Sequence, residues 1–315
     1  MKRREFLGGI IAAGCLGAIE TAEASPLVKA ASKIGGGTKG KFNEDLVVFI
    51  SDLHTNPGGY QPDLLRRTVK DILAMKPLPR NVIALGDLAY LTGREEEYAL
   101  LKEIISPIEE AGITLTLAMG NHDRRDNFRA AFPEQAAKSR MKDRYVYVVE
   151  TPKADIIVLD SLQQGDDDKT WITPGALNEE ETAWLKETLE TYKDKPVFVS
   201  SHHPIHELGI QKLLLECPCC RGYIHGHDHR WRRDWFKKSY SEKRIVPTLC
   251  LPSTGHWGDI GYTRFQIGED KAVAYLHEYE FFFPKPEEDP AKRPAQWDMI
   301  AEDYQGAKCA FSFKD

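Results

Sequence analysis

Residues 46–52 read LVVFISD, five apolar residues in a row followed by a serine and an aspartate. Two later stretches repeat the design: NVIALGD at 81–87 and ITLTLAMGNHD at 113–123. Apolar runs without alternation suit strands buried on both faces, as in a sheet covered by helices. Between them, PDLLRRTVKDILAM (62–75) and REEEYALLKEIISPIEEAG (94–112) space their aliphatics three and four residues apart, the pattern of amphipathic helices. The opening unit is therefore strand, helix, strand, helix, strand. Each apolar run stops at a polar cluster, which places the chemistry at the C-terminal strand tips, the edge where open α/β sheets bind ligands.

The same grammar continues. YVYVVE (145–150) and ADIIVLDS (154–161) read as strands. A polar excursion over 163–177 leads to the helix NEEETAWLKETLETY (178–192), with Asn178 at its N-cap. PVFVSSHHP (196–204) and GYIHGHDH (222–229) are again apolar runs ending in polar residues. TLCLPST (248–254), TRFQIG (263–268) and AVAYLHEYEFFF (272–283) read as antiparallel strands. The globular part spans 45–283, with residues 25–44 a flexible linker and 284–315 a C-terminal extension of unassigned role.

The chain has 315 residues and a formal net charge of −6, which argues against a general nucleic-acid binder. Its N-terminus, MKRREFLGGIIAAGCLGAIETAEAS, carries Arg3-Arg4, a short apolar stretch and Ala22-Glu23-Ala24 before Ser25. This resembles a twin-arginine export signal over residues 1–24, and it implies a periplasmic or extracellular protein. No membrane span is expected once it is removed. Lipid anchoring at Cys15 is the rival reading. Cys217, Cys219 and Cys220 lie in ECPCC, which reads as an oxidised pair or a metal knuckle; Cys250 and Cys309 are a second candidate pair. The spacings leave oligomeric state open.

Collected from the strand tips, the candidate residues are Asp52, His54, Asp87, Asn121, His122, Asp123, His202, His203, His227 and His229. They supply nitrogen and oxygen donors without thiolate, which suits manganese, iron or zinc. Seven ligands are too many for one ion and suit two ions sharing a carboxylate, a clamp for displacement at phosphorus.

In order along the chain, DLH, GD, GNHD, HHP and GHDH resemble the motifs of the calcineurin-like metallophosphoesterase family, from about Leu46 to Ile267. GDLAYLTGREEEYALLKEIISPI and LDSLQQGDDDKTWITPGALNEEETAWL also resemble its bacterial branch of class III cyclic-nucleotide phosphodiesterases and glycerophosphodiesterases. The resemblance implies an α/β fold: a two-sheet β-sandwich flanked by helices. It implies that Asp52, His54, Asp87 and His229 hold one of two divalent or trivalent metal ions. Asp87 bridges to the second, completed by Asn121, His202 and His227. His122 faces a small phosphoester substrate as general acid, with Asp123 orienting its ring, and a hydroxide held by the metals attacks phosphorus.

His225 reads as a packed histidine behind this set, and Tyr90 as a tyrosine of the pocket or core. Asn56, Arg125, His203 and His206 are candidate substrate contacts. For Arg124, Arg125 and Arg129 a solvated helix face is the alternative; His256 and Trp257 sit on loops expected to rim the crevice. The implied reaction is hydrolysis of a phosphodiester. The alternatives are a phosphomonoesterase, a pyrophosphate-cleaving hydrolase, a non-catalytic metal-binding scaffold, and a thiol-based redox or zinc protein resting on ECPCC.

Overall fold

The computed structural model describes residues 42–167, 169–237, 244–280, 304–305 and 308–314. The export signal, Cys15 and most of the 25–44 linker lie outside the described residues. In chain order the elements are β1 (Phe42–Ile50), α1 (Gln61–Leu73), β2 (Leu78–Leu85), α2 (Glu95–Glu110), β3 (Thr114–Ala118), α3 (Arg125–Ala131), α4 (Pro133–Lys138), β4 (Tyr147–Glu150) and β5 (Asp155–Val158). They continue with α5 (Glu179–Thr191), β6 (Val197–Ser201), α6 (Ile205–Leu208), α7 (Gln211–Glu216), β7 (Cys220–His225), β8 (Arg232–Phe236) and β9 (Val246–Cys250). The last strands are β10 (Ile260–Ile267), β11 (Lys271–Glu280), β12 (Tyr304–Gln305) and β13 (Lys308–Ser312).

Two mixed sheets result, ordered β12-β13-β11-β10-β1-β2-β3 and β4-β5-β6-β7-β9-β8. Strands β1, β2 and β3 run parallel, as do β5, β6, β7 and β9. The apolar runs are continuous because both faces of these strands are covered. Ile156, Phe198 and Ile224 face the cluster between the sheets, while their neighbours Ile157, Val199 and Tyr223 face a second cluster with Leu185 and Leu189 of α5 and Leu214 of α7. This is the period of two expected of a strand, with apolar residues on both sides. The Asn178 side chain caps α5, accepting from Glu181 N at 2.7 Å.

Three sequence expectations change. Strand β9 pairs parallel to β7 and antiparallel to β8, so TLCLPST joins the second sheet while β10 and β11 form the antiparallel flank of the first. Strand β1 begins at Phe42, inside the expected linker. Residues 308–312, placed in the C-terminal extension, form β13 against β11. Phe311 joins Phe198 and Phe265 in edge-to-face contacts at 5.5 and 5.7 Å between ring centroids. A Cβ on Gly222 would meet Phe311 Cδ1 at 2.7 Å, so glycine there is what lets the two sheets approach. Phe311→Ala is expected to lower stability by about 3–5 kcal/mol in denaturant unfolding. A loss below about 1 kcal/mol would show that the C-terminal strand is dispensable.

Candidate metal centre

The strand tips meet because the chain beyond β1 keeps bonding to the chain beyond β2. Asp52 N donates to Gly86 O at 3.1 Å, His54 N to Asp87 O at 2.8 Å and Thr55 N to Leu88 O at 3.1 Å. That ladder sets Asp52 and His54 beside Asp87. Glycine is required where the other loops close in: a Cβ on Gly120 would lie 2.2 Å from Asp87 N, and one on Gly226 2.0 Å from Ser51 Oγ. Among the described residues the non-glycine positions with positive φ are Asp52, His54, Asp87, His227 and His229. Each such conformation costs about 1–3 kcal/mol and persists where surroundings over-determine it, typically at a functional site. All five belong to the expected ligand set.

The donor atoms form two groups that share one carboxylate oxygen. In the first, His229 Nε2 lies 3.1 Å from Asp52 Oδ1 and 3.2 Å from His54 Nε2, and His54 Nε2 lies 3.5 Å from Asp87 Oδ2. In the second, His202 Nε2 lies 3.2 Å from the same Asp87 Oδ2 and 3.2 Å from Asn121 Oδ1. His227 Nδ1 completes it, 3.0 Å from Asn121 Oδ1 and 3.3 Å from His202 Nε2. Asp87 thus stands between the groups.

Three imidazoles are locked from behind. The Nδ1 atoms of His54, His202 and His229 lie 3.1, 2.9 and 2.8 Å from the carbonyls of Tyr90, Leu85 and Trp257. A ring donating through Nδ1 carries its lone pair on Nε2, and such backing is characteristic of metal-binding histidines. Lone pairs aimed at one another across 3.2 Å repel unless a cation or a proton stands between them. The residues therefore fit two metal ions of nitrogen and oxygen preference.

Without metal, protons take that place. Burial alone would lower the His202 imidazole, but the charge and hydrogen bond of Asp87 outweigh it and push it up to about 10. His229 is raised against its burial by Asp52. Burial would raise Asp52 and Asp87, yet the facing imidazoles hold both below the usual carboxylate range. His54 is lowered by burial to about 3 and stays neutral. At pH 7, below about 10, a cation must displace the His202 proton, so raising pH favours the metal. Affinity is expected to strengthen from pH 6 to pH 9 with proton release, measurable by titration calorimetry in buffers of different ionisation enthalpy. A pH-independent affinity would contradict this.

His122 sits beside the set with its ring centroid 5.1 Å from that of His54. Its Nδ1 lies 2.8 Å from Leu91 O, and its backbone N donates to Asp87 Oδ1 at 2.9 Å. The expectation that Asp123 orients this ring is overturned. Asp123 accepts from Leu88 N, Ala89 N, Gly120 N and Tyr98 Oη at 2.8–3.1 Å, so it staples the loops after β2 and β3 to each other. Burial, with Asp87 nearby, pushes its carboxyl up to about 6.

Of the expected substrate contacts, Arg125 is corrected outright. Its guanidinium forks onto Asp160 at 2.9 and 2.7 Å, a mostly buried pair away from the cleft. Arg124 donates to the Asp167 carbonyl and Arg129 to Tyr145 Oη. His206 is exposed on α6, and neither it nor the half-buried Asn56 lines the cleft. His203 is fully buried, its Nδ1 2.7 Å from Ser161 Oγ, so it too is absent from the cleft wall. His225 is buried, with Nδ1 2.9 Å from Gly226 O. Cys217 and Cys219 form a disulfide, while Cys220 and Cys250 are buried thiols, so Cys250 is not paired with Cys309.

A cleft of about 240 Å³ opens over the donors. Tyr90, His256 and Trp257 line it together with Leu91, Trp171 and Thr173. The last three escaped the sequence reading. Trp171 stands in the polar excursion, where nothing but its exposed indole in a hydrophilic loop singles it out; its ring lies 5.2 Å from that of His122.

A family model for calcineurin-like phosphoesterases matches residues 46–231. A probable glycerophosphodiester phosphodiesterase GpdQ of Arcobacter nitrofigilis is 31% identical over 178 residues, covering 54% of this chain and 61% of the relative. A probable cyclic nucleotide phosphodiesterase of Rhodococcus erythropolis is 28% identical over 195 residues, covering 58% and 62%. The chain thus spans less than two thirds of the length of either relative. A dimetal phosphatase from Danio rerio shares the fold with a TM-score of 0.58 and 16% identity, over 74% of this chain and 96% of that one.

Proposed function

The chain belongs to the calcineurin-like phosphoesterase family, and from that membership we propose that it hydrolyses phosphodiester bonds in small substrates with two bound metal ions. The observation that carries the reading is Asp87 Oδ2, which faces His54 of one donor group and His202 of the other. When bound, two cations there supply a nucleophile at neutral pH and neutralise charge on phosphate oxygens; their identity among manganese, iron and zinc is open.

The chain's own residues do the rest. Asp52, His54, Asp87 and His229 hold one ion, and Asp87, Asn121, His202 and His227 the other. His122 keeps Nδ1 engaged with Leu91 O and moves a proton through Nε2 to the departing oxygen. Asp123 holds the two ligand loops in register. Trp171, Tyr90 and Trp257 line the mouth of the cleft where the substrate's groups beyond the phosphate would lie.

A diester is favoured over a monoester by the lining. No lysine or arginine is among the cleft residues described, so beyond the two metal ions a monoester's second negative charge would find no cationic side chain to hold it. The names of the two relatives point the same way. The test compares bis(p-nitrophenyl) phosphate with p-nitrophenyl phosphate on one metal-loaded preparation. The diester is expected to turn over faster; a faster monoester would reverse the assignment.

We also propose that the chain works outside the cytoplasm. The twin-arginine pattern at residues 1–24 supports this, and so does the Cys217–Cys219 disulfide, which suits an oxidising compartment.

A further inference from the structure

Behind the metal centre, on the opposite face of β7 from the sandwich core, His225, Asp228 and Cys250 offer one donor atom each, all within 4.8 Å of one another. We propose that they form a third cation site, chemically distinct from the other two and suited to a borderline-soft divalent ion such as zinc or cobalt(II).

The strand register builds the cluster. β7 and β9 pair in parallel with His225 opposite Cys250, and residues so paired project from the same face of a sheet. Asp228 follows in the turn after β7, its backbone N bonded to Gly226 O at 2.9 Å. That carbonyl also accepts from His225 Nδ1 at 2.9 Å and lies 3.5 Å from Cys250 Sγ, so one oxygen tethers the turn and both buried donors.

Arg232 stands opposite Cys250 on the other neighbouring strand, β8. Its Nη2 holds Asp228 Oδ2 at 3.1 Å, and its Nε lies 3.6 Å from Asp234 Oδ2. The guanidinium therefore orients the carboxylate through one oxygen, as outer partners of ligating carboxylates do. His225 and Cys250 are buried, while Asp228 is 32% exposed and gives an approach from solvent.

The donor set decides the metal. A sulfur ligand selects zinc or cobalt over manganese, whereas the dinuclear centre contains no sulfur. On binding, the Cys250 thiol releases its proton to solvent and binds as thiolate. Three protein donors match zinc sites that leave one coordination position open.

The test uses the full chain, stripped with chelator and titrated with cobalt(II). Three equivalents are expected, one of them bringing a near-ultraviolet sulfur-to-cobalt charge-transfer band. Cys250→Ser should remove that band and one equivalent, while Cys217→Ser and Cys220→Ser keep both. Asp228→Asn retains the thiol and guards against misfolding of the serine variant; it should raise the cobalt concentration needed for the band about tenfold or more. Two equivalents without the band, or a band surviving Cys250→Ser, would overturn the proposal. Either result leaves the dinuclear centre and its phosphoesterase activity to be judged separately.

Discussion

Asp87→Asn is expected to lower hydrolysis of bis(p-nitrophenyl) phosphate by about a thousandfold and to cut bound metal from two ions toward one or none. Metal-ion stabilisation of a phosphoryl transition state is worth several kcal/mol, and each ~1.4 kcal/mol is a decade in rate. Asparagine is the informative substitution because Asp87 sits at φ 46°. Asparagine tolerates that left-handed conformation nearly as well as aspartate, whereas most residues would add strain. Its side-chain oxygen can still accept from His122 N, as Asp87 Oδ1 does at 2.9 Å. What changes is the charge that two donor groups share through Oδ2. Metal analysis beside the rate measurement separates loss of metal from loss of fold. A variant that keeps both ions and its rate would show that Asp87 does not join the sites.

His122→Ala tests the proton path, with an expected loss of about a hundred- to ten-thousandfold on diesters with alkyl leaving groups. The loss should be much smaller for p-nitrophenolate, which departs without a proton. Metal content should survive, because the ring bonds to the Leu91 carbonyl and to no donor atom of the two groups. The His122 backbone N, which holds Asp87, remains in the variant. Equal slowing for good and poor leaving groups, measured as kcat, would assign His122 to substrate charge and remove it as proton donor.

That these polar residues stand together was legible because strand tips in such a sheet converge without any knowledge of how the loops run, whereas choosing seven ligands among the ten candidates rested on the motif resemblance. Each tip announces itself locally, by an apolar run that stops at Asp52, Asp87, Asn121, His202 or His227. Roles that depend on distant partners were not legible. Asp123 sits beside His122 in sequence, yet its oxygens are occupied by backbone N–H groups of two loops and by Tyr98. Arg125 reads as a substrate grip in sequence, yet its guanidinium is engaged by Asp160, just beyond the end of another strand, and by the Leu162 carbonyl. Strand β8, at the edge of its sheet, and strand β13, between β12 and β11, are too short to carry an apolar run like LVVFI; tertiary pairing decided them. Trp171 reaches the cleft from a hydrophilic loop, where composition says nothing about direction.

The most direct test of the central claim is an activity titration of the metal-free chain with manganese(II), a hard ion that the Cys250 cluster should refuse. Diesterase activity is expected to climb and break at two equivalents of manganese per chain. Full activity before any metal is added, or no activity at saturation with manganese(II), iron(II) and zinc(II) alike while the protein stays folded, would contradict a dinuclear phosphoesterase.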